Sequence, residues 1–512
     1  MLFNSHVFIL LFLPATLAGF FLLGRLRDTR AARLWLLLAS LVFYGWWSWL
    51  YLGLLVLSMM LNFALGRGIS AARTKAPGRA KALMVLGVAG NIGLLAWYKY
   101  AIFIGDNLAA LTGLEFVFGG VVLPLAISFY TFLQIAFLVD TRQGRAARYS
   151  FLDYCLFVTF FPHLIAGPIV HHHELIPQFH QRSIYRFHAD DVAAGVAFFT
   201  IGLFKKLVIA DPVGALATPV FLTASGAPPG LVEAWIGILA FSIGLYFDFS
   251  AYSDMAIGLA RMFGIRFPYN FNSPYKATSI IDFWRRWHMT LSRYLRDYVY
   301  IPLGGSRRGE ARRHLNLLAT MILGGLWHGA GWTFVIWGAL HGSYLLVNHA
   351  WRSAAERARG AGHSLEMGVW PARALSLLAV LVAWVFFAAP DLAAALSVLG
   401  GMAGVNGLAQ PATASLLALG LEGGPRAILN ETGGMVLMTT TLSLGILFVA
   451  IPVILLAPNS QEIVDGAEGE RVVAPRWLRF RPGMPTAITA AAAFLMALAL
   501  MADVKEFVYF QF

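Results

Sequence analysis

Long apolar runs separated by short polar segments dominate the chain. The first run extends to Gly24, the second reaches the aromatic cluster around Trp46, and a third ends at a polar loop over residues 67–81. Runs of this length predict membrane-spanning helices, because a helix needs about 20 apolar residues to cross the hydrocarbon core. The runs also lack the alternation of a membrane β-strand. The pattern therefore predicts an all-α integral membrane protein.

The full pattern predicts a polytopic helical bundle of roughly eleven spans with re-entrant and interfacial helices, forming a single membrane domain over residues 1–512. Residues 150–170 contain Pro162, Gly167 and Pro168, which predict either a broken, re-entrant segment or a span. Later spans are predicted near residues 191–210, 231–260, 374–390, 434–457 and 484–502.

Basic residues cluster in short segments between these runs, at 25–33, 67–81 and 142–148. Such clusters mark cytoplasmic loops, so the first five spans predict an N-terminus outside the cytoplasm. Only 12% of the residues are charged and 59% are hydrophobic, against about 25% and 45–50% in soluble proteins. The net charge of +12 therefore reflects membrane topology, and nucleic-acid binding is excluded. The single cysteine, Cys155, excludes an intrachain disulfide.

The segment Ser279–Tyr300 predicts an amphipathic helix with a basic face, suited to the membrane surface or to a wet cavity. Trp287 falls on its apolar face and His288 lies at the edge of its polar face. The predicted polar face contains the following residues: Arg285, Met289, Ser292, Arg293 and Arg296.

A stretch without Asp, Glu, Lys or Arg lies between Arg313 and Arg352 and predicts a membrane hairpin. His328 stands near its middle, among glycines that favour a helix break or close backbone approach. Counted from Arg313, the helical rise places His328 about 22 Å along the axis, deep in the hydrocarbon core. Such a histidine is expected to be neutral, as a general base requires. The alternative is a histidine hydrogen-bonded between helices, which is the role expected for His341.

Other chemistry is absent from the sequence. The run His171-His172-His173-Glu174 lacks the spacing of a zinc-protease motif, so a solvated loop is expected and no metal site is predicted. The sequence also has no G-x-S-x-G elbow, no P-loop, no dinucleotide fingerprint and no H-x4-D pattern.

Several motifs, taken in order, resemble those of the membrane-bound O-acyltransferase (MBOAT) family, most closely its bacterial alginate O-acetyltransferase branch. The motifs lie at residues 97–100, 123–132, 161–168, 246–254, 283–288, 295–298 and 325–329. The core of the resemblance runs from about 97 to 350, whereas residues 352–512 match less distinctively. The resemblance implies a bacterial inner-membrane enzyme with a helical bundle.

The resemblance also implies catalytic roles for His328, in the Trp-His-Gly motif, and for His288, in the Arg-Arg-Trp-His motif. It implies acyl transfer from a cytoplasmic thioester, such as acetyl-CoA or an acyl carrier protein, to an extracytoplasmic hydroxyl. No tightly bound cofactor is expected. Expected partners are membrane lipid and a periplasmic acetyltransferase. Candidate substrate-binding residues are Asp282, Arg285, Arg286, Trp287, Trp327 and Trp332.

Three acceptor classes remain open: an exported polysaccharide such as alginate or cellulose, peptidoglycan, and teichoic acid, which would receive D-alanine. Two other classes of function also remain. A transporter of acyl groups or glycans would need a through-path and often shows inverted repeats, which the sequence does not display. A non-catalytic scaffold would tolerate the loss of both histidines.

Overall fold

A computed structural model describes residues 1–114, 122–146, 148–409, 433–466, 474–475 and 477–501. These described residues form helices and contain no strand. The α-helices in chain order are α1 Leu13–Gly24, α2 Arg30–Gly45, α3 Trp49–Ala72, α4 Pro77–Leu95, α5 Ala101–Thr112, α6 Ile127–Gln143, α7 Phe151–Thr159, α8 Phe161–Leu164, α9 His172–Leu175, α10 Ala189–Phe204, α11 Asp211–Thr223, α12 Leu231–Met262, α13 Ile280–Trp284, α14 Met289–Leu295, α15 Glu310–His328, α16 Trp332–Gly360, α17 Val369–Ala388, α18 Leu392–Met402, α19 Gly433–Leu456, α20 Ser460–Val464 and α21 Met484–Ala499.

Among the described residues, five helices are long and apolar enough to cross a membrane: Trp49–Ala72, Pro77–Thr112, Ala189–Thr223, Leu231–Met262 and Val369–Ala388. These five helices confirm the membrane-protein prediction, but not the predicted total of roughly eleven spans. Four further apolar helices are shorter: Phe8–Gly24, Leu392–Met402, Thr441–Leu456 and Met484–Ala499. Of the two alternatives left open for residues 150–170, the structure has the broken segment, because the chain forms α7 and α8 and then leaves the helical conformation. Residue 502, at the end of the last predicted span, lies outside the described residues.

The chain divides into two compact units, and the prediction of a single domain stays a prediction. The first unit comprises Met1–Leu203, Tyr252–Tyr269 and the part that begins at Ser460. Its interior contains a polar cluster in which Asn91 Nδ2 donates to Asn62 Oδ1 at 2.6 Å and Asn62 Nδ2 donates to Gln134 Oε1. Unpaired polar groups are costly away from water, and these contacts pair the amides of Asn62 and Asn91 and the side-chain oxygen of Gln134.

The second unit comprises Phe204–Ala251 and the part from Asn270 to Asn459. Lys206 is fully buried there, and its Nζ lies 2.7 Å from Asp248 Oδ1 and 2.9 Å from Asp211 Oδ1. A buried ammonium needs such partners, because desolvation of an unpaired charge is expensive.

Helices α15 and α16 of this second unit form the predicted hairpin, and glycines allow their backbones to meet. A Cβ at Gly325 would lie 2.2 Å from the carbonyl oxygen of Phe334, and a Cβ at Gly338 would lie 2.4 Å from that of Met321. Any larger residue would push the helices apart, as at other interfaces of small residues in membrane proteins.

The predicted continuous amphipathic helix over Ser279–Tyr300 is wrong. Helix α13 ends at Trp284, and His288 has a left-handed backbone (φ 43°, ψ 53°) that interrupts the helix before α14 begins at Met289. A β-carbon makes this conformation costly, so no propensity rule places it at a histidine. The predicted single basic face therefore does not exist as one surface.

Candidate functional site

His328 lies buried at the turn of the α15–α16 hairpin. It is the last residue of α15, and its residue exposure is 6%. The helix ends there because Gly329 is extended, and a Cβ at Gly329 would lie only 2.0 Å from the Phe334 ring. The edges of the Trp337 and Phe387 rings pack near the imidazole, with centroid distances of 5.2 Å each. The predicted burial of His328 at the hairpin apex is confirmed.

His288 is fully buried and is held by Asn270. The Nδ1 atom of His288 lies 2.9 Å from Asn270 Oδ1, which also accepts a hydrogen bond from Thr290 Oγ1 at 2.9 Å. The backbone of Asn270 contributes as well, because its carbonyl accepts the Met289 amide at 2.9 Å. With the amide oxygen facing the ring, Nδ1 carries the proton of the neutral imidazole, and Nε2 is then an acceptor.

The protonation state of His288 follows from its surroundings. His288 lies outside the five candidate spans, and the Phe249 ring packs edge-on against it at 4.7 Å. Burial lowers the pKa of His288 from 6.5 to about 3, because an imidazolium would lose its hydration. His288 is therefore neutral near pH 7.

Trp327 connects the two histidines. Its ring centroid lies 6.3 Å from that of His288 and 4.9 Å from that of His328, and its residue exposure is 6%. The structure thus brings together three of the residues that the sequence singled out, although His288 and His328 lie on different elements. Aromatic walls around two imidazoles exclude water and strengthen polar interactions inside.

The other predicted substrate-binding residues lie in different settings. Asp282 Oδ1 accepts a hydrogen bond from Arg286 Nε at 2.8 Å, so these two residues form an ion pair. Trp287 is 3% exposed and stacks on Phe283 at 5.7 Å, which gives it a packing role. Arg285 is exposed, and Trp332, at the start of α16, is 55% exposed.

Sequence reasoning missed the residues that hold the two histidines. Asn270 lies eighteen residues before His288, and Phe387 lies nearly sixty residues after His328. Trp337 lies on α16, across the turn from His328, and no periodicity connects these three residues to the histidine motifs. The only available signal was Asn270 itself, an amide between the aromatic residues Tyr269 and Phe271. Such a residue is a candidate for a buried hydrogen bond, but its partner cannot be read from spacing.

His341 is a packing histidine, as expected. It is fully buried, its Nδ1 accepts a hydrogen bond from Trp284 Nε1 at 3.3 Å, and its ring stacks on Phe283 at 6.0 Å. A histidine with these contacts stabilises the packing of α13 against α16.

The predicted solvated loop at the histidine run is wrong for two of its three histidines. His171 and His172 are 4% and 0% exposed, and only His173 is exposed. His172 lies inside because its Nε2 reaches Asp140 Oδ2 at 3.0 Å and its Nδ1 pairs with the Tyr149 hydroxyl at 3.0 Å. One ligand atom each of Asp140, His171 and His173 lie within 4.8 Å of one another, so these residues are placed to hold a metal ion.

An exposed basic surface lies in the same unit as His288 and His328. Five arginines between α13 and the start of α15 are exposed to solvent: Arg285, Arg296, Arg307, Arg308 and Arg312. Arg296 is partly neutralised by Asp297, whose Oδ1 lies 2.7 Å from Arg296 Nε. The surface remains positive, because five guanidinium groups share few acidic partners.

Comparison with known proteins finds a matching family and several similar sequences. The model of the MBOAT, membrane-bound O-acyltransferase family, matches residues 36–388. A peptidoglycan O-acetyltransferase of Helicobacter pylori is 42% identical over 80% of this chain and 81% of its own. The probable alginate O-acetylase AlgI of Azotobacter vinelandii is 42% identical over 77% and 76%. A teichoic acid D-alanyltransferase of Streptococcus thermophilus is 26% identical over 44% and 57%.

Proposed function

Because the chain belongs to the membrane-bound O-acyltransferase (MBOAT) family and is an O-acyltransferase, we propose that it moves an acetyl group from a cytoplasmic thioester to a hydroxyl of an exported polysaccharide or of a periplasmic partner. The observation that carries this proposal is the buried group of His288, Trp327 and His328 at the turn of the α15–α16 hairpin. A thioester and an alcohol that meet there would be shielded from water, which would otherwise hydrolyse the donor.

His328 is the general base in this proposal. Its imidazole accepts the proton of the acceptor hydroxyl while that oxygen attacks the thioester carbonyl. The new C–O bond forms, the C–S bond breaks, and the proton passes from His328 to the departing sulfur. A general base of this kind contributes about 10²–10⁴-fold to the rate.

The developing oxyanion needs a hydrogen-bond donor, and three kinds of group near His328 are candidates: His288, the indole of Trp327 and a backbone amide of the glycine-rich turn. His288 is a poor one, because its Nδ1 proton faces Asn270 Oδ1 and the neutral ring offers only an acceptor at Nε2. The amides of Gly329 and Gly331 already donate to Gly325 O and Gly329 O, at 3.3 and 3.1 Å. We propose the indole N–H of Trp327 as the oxyanion donor, because its ring lies beside the rings of both His288 and His328. His288 Nε2 then acts as a second acceptor, which orients the hydroxyl.

The exposed arginines favour an anionic donor. The phosphates of acetyl-CoA, or the acidic surface of an acyl carrier protein, would be attracted to the Arg307–Arg312 segment. The donor is then a co-substrate, and no tightly bound cofactor is needed. If the chain lies in the bacterial inner membrane, this surface would face the cytoplasm, as the distribution of basic loops predicts.

The proposed acceptor is an exported polysaccharide such as alginate, as the name of the Azotobacter vinelandii relative suggests. A peptidoglycan acceptor is the second candidate, favoured by the Helicobacter pylori relative at the same identity. D-alanyl transfer to teichoic acid is a third, and the lower identity and coverage of that relative make it the weakest.

The test is mass spectrometry of extracted polysaccharide and peptidoglycan from cells with the wild-type chain, without it, or with variants. His328→Ala is expected to insert normally and to remove the acetyl groups that the wild type adds. Trp327→Phe should lower acetylation about 10²–10³-fold while preserving insertion. The matched control is His363→Ala, an exposed histidine whose loss should change nothing.

If the His328→Ala strain acetylated its polymers as fully as the wild type, His328 would not be the general base. The polymer that loses acetyl groups identifies the acceptor. A wild-type protein that moves labelled acyl groups across vesicles without transferring them would instead indicate a transporter.

A further inference from the structure

The histidine run at residues 171–173 lies in the first unit and takes no part in the proposed acyl transfer. His171 has an extended backbone (φ −86°, ψ 149°) and is followed directly by the short helix α9. The chain therefore turns from an extended residue into a helix within the run, and this turn brings the side chains of His171 and His173 together. The rings of His171 and His173 have centroids 5.3 Å apart and lie 30° from parallel.

Asp140, near the C-terminal end of α6, completes the group. One carboxylate oxygen of Asp140 and one ring nitrogen each of His171 and His173 lie within 4.8 Å of one another. Asp140 and His171 are buried, at 2% and 4% exposure, whereas His173 is exposed. The chain thus places two imidazoles and a carboxylate at one point, with a route to solvent on one side.

The second oxygen of the Asp140 carboxylate contacts His172. The Nε2 atom of His172 lies 3.0 Å from Asp140 Oδ2, and the Tyr149 hydroxyl lies 3.0 Å from His172 Nδ1. This chain of contacts fixes the orientation of the carboxylate, as carboxylate ligands of metals are themselves held by hydrogen bonds.

The surrounding charges permit a cation. Glu174 adds a second carboxylate close by, since its Oε2 accepts the His171 amide at 3.0 Å. The competing cation is Arg145, whose Nη1 lies 4.0 Å from Asp140 Oδ1, but its side chain is 69% exposed and free to turn into solvent.

We propose that Asp140, His171 and His173 bind one divalent transition-metal ion of the zinc class. Imidazole nitrogens and a carboxylate oxygen are ordinary zinc ligands at about 2.0–2.2 Å, which places the ligand atoms about 3.3 Å apart in a tetrahedron. The three ligand atoms reach this separation when the exposed His173 ring rotates toward Asp140 and His171. Water fills the fourth position. An ion bound there ties the end of α6 to the turn before α9.

The experiment measures metal binding, and its result does not depend on acyl transfer. The full chain is purified in detergent with a tag that contains no histidine, stripped with a chelator, and titrated with Zn²⁺ and with Co²⁺ as a spectroscopic probe. The wild type should bind about one ion per chain, with Co²⁺ absorption bands typical of four-coordinate nitrogen and oxygen ligands.

The decisive variant is His173→Gln, because an exposed residue can be replaced without loss of the fold. It should weaken binding by more than about tenfold and abolish the Co²⁺ bands. Asp140→Asn should do the same, and His363→Gln should bind like the wild type. Stoichiometric binding that survives in His173→Gln, or a wild type that takes up no ion, would overturn the proposal and leave a hydrogen-bonded histidine cluster.

Discussion

At the residue scale, the two histidines of the proposed site differ in how the backbone presents them. His328 ends a regular helix, and its position follows from the glycine turn after it. His288 has a left-handed backbone, and the side chain and carbonyl of Asn270 hold its ring and the two residues that follow it. Asn270 is therefore a positioning residue, because it fixes both the orientation and the tautomer of His288.

Asn270→Leu should lower the turnover number by at least about tenfold, since His288 loses the partner that fixes its tautomer. It should also destabilise the protein by about 1–3 kcal/mol for each buried donor left without its acceptor. Asn270→Asp keeps an acceptor and adds a charge, which raises the pKa of His288. Its pH–rate profile should acquire a new limb near neutral pH, whereas a purely structural role for Asn270 predicts an unchanged profile.

The pKa of His288 predicts a loss of stability in acid. The folded-state pKa is about 3, below the unfolded value near 6.5, so the unfolded state binds more protons between these values. The contribution of His288 is therefore full above about pH 6.5 and declines as the pH falls toward 3. Thermal unfolding in detergent between pH 7.5 and 5 should show a smaller decline for His288→Gln than for the wild type. Equal declines would contradict the burial of a neutral imidazole.

The sequence predicted the setting of a residue correctly where a local pattern along the chain determines its burial. The absence of charge between Arg313 and Arg352 correctly predicted the burial of His328. The burial of His171 and His172 was not predictable, because their partner Asp140 lies about thirty residues earlier in the chain and no local pattern announces the contact.

At the element scale, the α15–α16 hairpin depends on backbone contact between two helices. Gly325 and Gly338 face backbone atoms of the opposite helix, so the position of His328 depends on residues that carry no chemistry. The glycine-rich sequence predicted close approach here. In contrast, helical periodicity over Ser279–Tyr300 predicted one continuous helix, since periodicity assumes regular dihedral angles and His288 departs from them.

Gly325→Ala should destabilise the protein by about 1–3 kcal/mol and reduce activity, because the added methyl would lie 2.2 Å from a backbone carbonyl oxygen that cannot move alone. The matched control is Gly360→Ala in α16, where nothing lies within 4 Å of the added Cβ. That variant should be neutral or slightly more stable, as Ala favours helix over Gly. Thermal unfolding and acetyl transfer measured on both variants separate the packing effect from a general effect of substitution.

At the scale of the whole molecule, apolar length alone identifies five spans among the described residues. The hairpin helices fall outside this set because polar, glycine and terminal charged residues lower their mean hydropathy, although the turn between them is buried at His328. A helix that lines a reaction chamber carries polar groups that lipid-facing helices lack. A count of spans by apolar length therefore omits the hairpin that carries His328 of the proposed site.

The predicted topology is testable with cysteine labelling, because the only native cysteine, Cys155, is buried. Single replacements at exposed positions report on each side: His6→Cys before α1, Arg79→Cys in the first turn of α4, and Arg308→Cys and His363→Cys at the two ends of the hairpin. In spheroplasts, a membrane-impermeant maleimide should label only His6→Cys, and all four should react after permeabilisation. Both hairpin ends must then lie on one side, which requires α15 and α16 to enter the membrane together. Labelling of only one hairpin end in spheroplasts would mean that the two ends lie on opposite sides of the membrane. The segment from α15 to α16 would then cross the membrane an odd number of times, which contradicts the predicted hairpin.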